Sequence, residues 1–268
     1  MFLDPAAHPR LPSPRLVAAI ALVAVGTAAQ AQAQDTVAYR GGAVEGAGTT
    51  PVGTILLEGG SSVDWAPGER VVRAGELTLR VPLARRLDAH VALSSFQWTH
   101  APGATRAGHD DMAVGATMQL REARVDEPRL APAVALMVRT TLPTGAAHLR
   151  APGALPEAKL ALEWARWSAL SLAANAGLAA DRVEGRHLVD RWGGVAAHAR
   201  LHRRVHGYVE GWALQPGGHA SPAETHLHAG VTALLTAELH LDLHAARRLD
   251  GGAHAIGIGF ARHWTTVR

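Results

Sequence analysis

The chain predicts an all-β fold: a transmembrane, antiparallel, up-and-down β-barrel of about twelve strands. Three observations carry that expectation. The N-terminus has the layout of an export signal, no later apolar run is long enough for a membrane helix, and short stretches alternate polar and apolar residues along most of the chain.

The export signal comes first. Arg10 and Arg15 precede the apolar run Leu16 to Ala29, which passes into Ala29-Gln30-Ala31-Gln32-Ala33. Positive charge, a short apolar core and small residues two apart define a secretory signal peptide. Residues 1–33 are therefore read as that signal, cut after Ala31 or Ala33, residues 34–51 as a flexible N-terminal segment, and residues 52–268 as one barrel. With no cysteine there is no disulfide framework, thiolate metal site or cysteine nucleophile. Arginine supplies nearly all the positive charge, Lys159 being the only lysine. It forms no basic patch interleaved with aromatics, so nucleic acid is not an expected partner.

Period-two alternation sends successive side chains to opposite faces. Along 111–121 the polar-side set is Asp111, Ala113, Gly115, Thr117, Gln119 and Arg121, against Met112, Val114, Ala116, Met118 and Leu120. Glu238, His240, Asp242 and His244 oppose Leu239, Leu241, Leu243 and Ala245. Glu76, Thr78 and Arg80 oppose Leu77, Leu79 and Val81, while Val134, Leu136 and Val138 oppose Ala133, Ala135, Met137 and Arg139. Twelve such segments are read, at 52–58, 74–83, 89–98, 111–121, 131–142, 155–164, 168–180, 191–202, 206–215, 223–235, 238–247 and 254–264. Connections around 84–88, 165–167, 203–205 and 236–237 are short. Those around 59–73, 99–110, 143–154, 181–190 and 216–222 are rich in Gly, Pro and Asp and read as longer outer loops. The 122–130 connection breaks that alternation, and Thr54 to Glu58 alternates poorly.

Two rivals stand beside the barrel. Pro156 to Ala180 is alanine-rich, with Leu160, Trp164, Trp167 and Leu170 at helical spacing, and alanine is the best helix former. The same stretch also reads as a hairpin, with Leu160, Leu162 and Trp164 opposite Lys159, Ala161 and Glu163. A soluble β-sandwich would alternate in the same way, and periodicity alone does not separate it from a membrane barrel.

Leu241 to Leu249 followed by Ile256-Gly257-Ile258-Gly259-Phe260-Ala261-Arg262-His263-Trp264 resembles the last hairpin of a bacterial outer-membrane transporter family associated with the MetA pathway of phenol degradation. Thr141-Leu142-Pro143-Thr144-Gly145 resembles that family's mid-barrel Leu-Pro-Thr-Gly motif. Asp111-Met112-Ala113-Val114-Gly115 resembles its strand start, with His109-Asp110 where glycine usually precedes the aspartate. The resemblance spans roughly residues 50–264. It implies a barrel that passes small solutes, aromatic or hydrophobic ones included, and it implies no catalytic residue or cofactor. The final strand also resembles the aromatic-ended closing strand read by outer-membrane assembly machinery, although Thr265 to Arg268 follow Trp264. Ile256, Ile258, Phe260 and Trp264 share a face suited to lipid and its interfacial girdle.

Arginine or lysine facing lipid at mid-membrane costs about 2–4 kcal/mol, so alternation puts the charges inside. The predicted lumen-lining groups are Glu76, Arg80, Arg121, Arg139, Glu157, Lys159, Glu163, Arg200, Glu210, His228, His240, Asp242 and His244. Both signs are present, so they can line a channel or pair and plug it. Among the sixteen histidines, His226 and His228 share one strand face and His240 and His244 the next, with His228 opposite His244 in an even register. Imidazoles so placed accept zinc or copper; equally, they are polar lumen residues among Glu224, Glu238 and Asp242, and no metal site is assigned. His219-Ala220-Ser221 places a histidine two residues before a serine, the spacing of lipid-acting outer-membrane hydrolases, but in a loop and followed by Pro222. His109-Asp110-Asp111 reads as loop and strand-start polarity. The leading expectation is diffusion of small solutes through a polar lumen. The alternatives are a hydrolase using His219 and Ser221, and a closed structural or surface-binding barrel.

Overall fold

The computed structural model describes residues 43–123, 131–167, 169–183, 185–218 and 222–265. The export signal, residues 34–42 and most of the 122–130 connection lie outside the described residues. Among those described there is no helix long and apolar enough to cross a membrane. The strands are β1 (Thr54–Ala66), β2 (Glu69–Ala84), β3 (Leu87–Leu93), β4 (Phe96–Ala101), β5 (Ala104–His109), β6 (Met112–Arg121) and β7 (Ala133–Leu142). They continue with β8 (Leu155–Trp167), β9 (Leu170–Val183), β10 (Arg186–His202), β11 (Val205–Gln215), β12 (Glu224–Leu234), β13 (Leu239–Arg248) and β14 (His254–Thr265).

Every pairing is antiparallel, and β1 bonds to both β2 and β14, so the sheet closes on itself. Closure runs from Thr54 opposite Thr265 to Trp65 opposite His254. β3 and β4 lie end to end along β2, and β6 and β5 lie end to end along them. Each of these two pairs is one stave with a break, which makes a twelve-stave barrel. The 156–180 stretch is the β8–β9 hairpin and not a helix, because its alternation satisfies a sheet with Lys159 opposite Gly177 and Ala161 opposite Asn175.

The faces distinguish this barrel from a soluble sandwich. Outward side chains include Leu178, Val195, Leu243, Ile256 and Ile258, each at least half exposed. Glu58, Asp88, Lys159, Asn175, Glu210 and Asp242 are buried inside. Apolar outside and charged within inverts a water-soluble protein and matches a wall that meets lipid.

Two expected outer loops, 59–73 and 99–110, are instead tall hairpins. β1 and β2 meet at Pro67-Gly68, and β4 and β5 at Pro102-Gly103, with Gly68 at φ 79° and Gly103 at φ 78°. Proline fixes the first turn angle and glycine accepts the left-handed second, so two residues reverse the chain where composition suggested a long loop. Around 181–190, too, strand runs up to Val183 and resumes at Arg186. The weak first segment, 52–58, is the base of β1. Its inward Leu56 packs with Ala261, which is why its alternation reads poorly.

The two mid-barrel motifs of the sequence touch. Asp111 accepts the Gly145 N–H on Oδ1 and the Ala151 N–H on Oδ2, each at 2.6 Å, and the Met112 N–H donates to Thr144 Oγ1 at 2.9 Å. One carboxylate thereby folds the 143–154 connection back onto the start of β6. A methyl on Gly145 would lie 2.9 Å from Asp111 Oδ1, so the close approach requires glycine there.

Candidate functional site

The strand register turns Glu76, Arg80, Arg139, Glu157, Lys159, Glu163, Glu210, His228, His240, Asp242 and His244 towards the lumen, as alternation requires. Arg200 shares the inward register with His206 but sits near the rim where β1 begins and β14 ends. Arg121 departs from the expectation. A register shift between Gln119 and Arg121 pairs it with outward-facing Val134, and its guanidinium donates to the Pro132 carbonyl at the strand end. Towards the opposite rim a cavity of about 500 Å³ is lined by Glu76, Asp110, Asp111 and Arg139 together with Leu77 and Leu93.

The main feature of the lumen is a segment of the chain itself. Residues 43–50 fall in the stretch read from sequence as flexible, and here they form a strap along the inside of the wall. The Ala43 and Val44 N–H groups donate to Glu210 of β11 at 2.7 and 3.1 Å. Glu45 exchanges two bonds with Asn175 of β9: its N–H donates to Oδ1 at 2.7 Å, and Asn175 Nδ2 donates back to its carbonyl at 2.9 Å. The Ala47 N–H donates to Glu163 of β8 at 2.8 Å, and its carbonyl accepts from Gln119 of β6 at 3.0 Å. Thr50 donates its N–H and hydroxyl to Asp88 of β3 at 2.9 and 3.2 Å. Those anchors follow the stave order round half the barrel.

The physical reason for this order is satisfaction of buried polar groups. A strap inside a closed barrel has no ladder to join, so its amides need side-chain acceptors. Carboxylates buried in the wall need donors in turn, and bonds to a charged group contribute about 1.5–3 kcal/mol each. Apolar contacts complete the seat. Val44 packs with Ala173 and Ala196, and Ala47 with Ala135, Ala161 and Met137.

One ionic cluster ties the strap across the lumen. Arg80 donates to Glu45 and to Glu58, at 3.0 Å each, and Lys159 donates to the other Glu45 oxygen. The Lys159 ammonium lies 5.4 Å from the centre of the Trp192 ring. Arg139 is paired with Glu157 at 2.6 Å. Glu45, Glu58, Asp88, Gln119 and Asn175 were not among the sequence candidates. Asn175 is the one amide in an alanine-rich strand, a signal that could have found it; Glu45 carries no local pattern.

The histidines line the other half. His228 faces Ala246 and His244 faces Gly230, one rung off the expected pairing, although their rings lie 6.0 Å apart. Each instead meets a carboxylate: His228 Nδ1 lies 2.9 Å from Glu210, and His244 Nδ1 lies 3.2 Å from Asp242. Among the described residues no group of three such side chains is placed to hold a metal ion. His219 and Ser221 lie outside the described residues.

Four inward glycines each face a ring on the neighbouring strand: Gly115 under His90, Gly177 under Trp192, Gly230 under Tyr208 and Gly257 under His244. The rings lie flat on the wall because nothing projects beneath them. A methyl on Gly230 would sit 2.5 Å from Tyr208 Cε1. Gly230→Val is expected to lever that ring into the lumen and destabilise the barrel by about 1–3 kcal/mol, the range for overpacking. Chemical unfolding of the refolded protein measures it, and Tyr208→Ala should recover most of the loss if the clash is the cause.

No family model matches the chain, and no curated protein matches it. Solved structures do. The COG4313 outer-membrane channel of Pseudomonas putida F1 is similar over 81% of this chain and 98% of its own, with 13% identity and a TM-score of 0.63. The NanC porin is similar over 77% and 98%, with 8% identity and a TM-score of 0.57. The KdgM porin, in complex with disordered oligogalacturonate, is similar over 77% and 98%, with 8% identity and a TM-score of 0.54. At such identities the likeness shows the fold, that of outer-membrane channels and porins.

Proposed function

We propose that this protein is an outer-membrane diffusion channel for small solutes, aromatic or hydrophobic ones included. Its lumen is narrowed by residues 43–50. The observation that carries the reading is the pairing of an apolar outer wall with a charged interior, in which the chain's own strap and not a packed side-chain core fills the space. Mixed-charge groups along the remaining passage, Arg80, Glu58, Asp242, His228 and His244 among them, set its selectivity. Export by a cleaved signal, insertion into outer-membrane lipid and delivery by the assembly machinery through β14 complete the reading.

Planar-bilayer recording of refolded full-length protein tests it. Small, discrete, ohmic steps are expected. A bilayer that stays silent with both the intact chain and a chain lacking the strap would establish a sealed structural barrel and overturn the proposal.

A further inference from the structure

We propose that Glu45 and Val44 stand in for a solute, and that a small amphipathic organic carboxylate binds this barrel by taking over their seat. The inference rests on the channel reading above for the strap's place in a passage, and it adds the solute class.

The seat has two chemically distinct parts. Its polar part is a cation pair drawn from two separate staves of the wall. Arg80 on β2 and Lys159 on β8 both donate to the Glu45 carboxylate, which is the geometry of carboxylate recognition. Arg80 retains Glu58 when the strap leaves, and Arg139 already has Glu157. Lys159 is the cation that loses its carboxylate. Its side chain is only 9% exposed, and the indole of Trp192 lies against it. A buried ammonium in that position favours an incoming anion strongly.

The apolar part is a hollow built from small residues. Val44 is 1% exposed and packs with Ala173 and Ala196. Gly194 completes the floor: a methyl there would lie 2.7 Å from Val44 Cγ2. The wall thus leaves room for a compact apolar group beside a carboxylate-binding pair. Alanine and glycine at these positions satisfy alternation poorly as sheet formers, and the space they leave is what the valine fills.

Because the strap is tethered, it competes at a high effective concentration, and a free solute binds more weakly than to an empty seat. Removing the strap's charge should therefore tighten solute binding, and loosening the strap at Val44 with every charge kept should do the same, which charge removal alone does not predict.

Benzoate titrated calorimetrically into the full chain, refolded in detergent, is the test. Glu45→Gln is expected to bind benzoate about tenfold tighter than the parent, a 1.4 kcal/mol gain in binding free energy. Adding Lys159→Gln to that variant should abolish the gain, and benzamide, which lacks the charge, should bind none of them. Val44→Gly loosens the strap without touching the cation pair and should also tighten binding; it keeps the test decisive if Glu45→Gln refolds poorly. Benzoate affinity that is unchanged by Glu45→Gln and Val44→Gly, or indifferent to Lys159→Gln, overturns the proposal. Since binding is read without transport, a silent bilayer with this binding pattern removes the channel reading alone. Steady conductance with an unaltered affinity series removes the solute class alone.

Discussion

Deleting residues 43–50 is expected to raise single-channel conductance severalfold while leaving the barrel closed. Closure depends on β1 from Thr54 onward against β14, and the strap contributes nothing to that ladder. What the deletion removes is a segment that lies along half the inner wall, from Glu210 to Asp88. Water and ions take its place, because the groups that held it are carboxylates, two amides and two cations, all of which hydrate readily once the space is open. Loss of Glu45 also withdraws the carboxylate shared by Arg80 and Lys159. Anion preference should rise with conductance for that reason. Recordings of the parent and the deletion in the same salt, with reversal potentials under a gradient, measure both. Equal conductance in the two proteins would mean that the strap does not obstruct the path.

The strap also marks where sequence reading reaches its limit. Alternation over Asp111 to Leu120 and Glu238 to Ala245 is legible because the side-chain period of a strand is local and one face of each is uniformly apolar. The inward placement of Glu76, Lys159, Glu163 and Glu210 follows from the same rule. Local rules fail where geometry changes between neighbours. At Arg121 one extra residue in the ladder reverses the face that alternation assigns. Pro67-Gly68 and Pro102-Gly103 have the composition of a loop, and only their dihedrals make them two-residue turns. Residues 43–50 are the extreme case. Their amides bond to side chains as distant as Glu210, 167 residues from Ala43, and no period along the chain encodes such a contact.

Lumen chemistry and wall chemistry are linked by the inward glycines. A barrel of twelve staves has limited internal space, and it already holds a strap together with the rings of Trp192, Tyr208, His90 and His244. Laying each ring over a glycine on the next strand keeps those side chains against the wall and leaves the centre to Glu45, Arg80 and Lys159. The same small-residue logic makes the hollow for Val44. Sequence positions that look like weak strand formers are therefore the ones that set how much of the lumen is free.

Ile258→Arg is expected to cost the barrel about 2–4 kcal/mol in lipid, the cost of an arginine at mid-membrane depth on the outer face. Ile258 lies near the middle of β14, opposite Ser61 on one side and Leu243 on the other, and its side chain is 58% exposed. In a water-soluble protein so exposed a position would accept arginine at almost no cost. The chain has its own contrast. Arg262 is on the same outward face four residues on, towards the rim, with its guanidinium 5.1 Å from the centre of the Trp264 ring. A rim position of that kind, flanked by an interfacial aromatic, costs about 0–1 kcal/mol. Reversible unfolding in lipid vesicles should therefore show a large loss for Ile258→Arg and a small one for Ile55→Arg, which lies on the same outward face at the rim, opposite Trp264. Similar losses at the two depths would place Ile258 outside the hydrocarbon layer and contradict a lipid-facing wall. A depth-dependent difference has no counterpart in a soluble sandwich, because bulk water presents the same solvent along the whole strand.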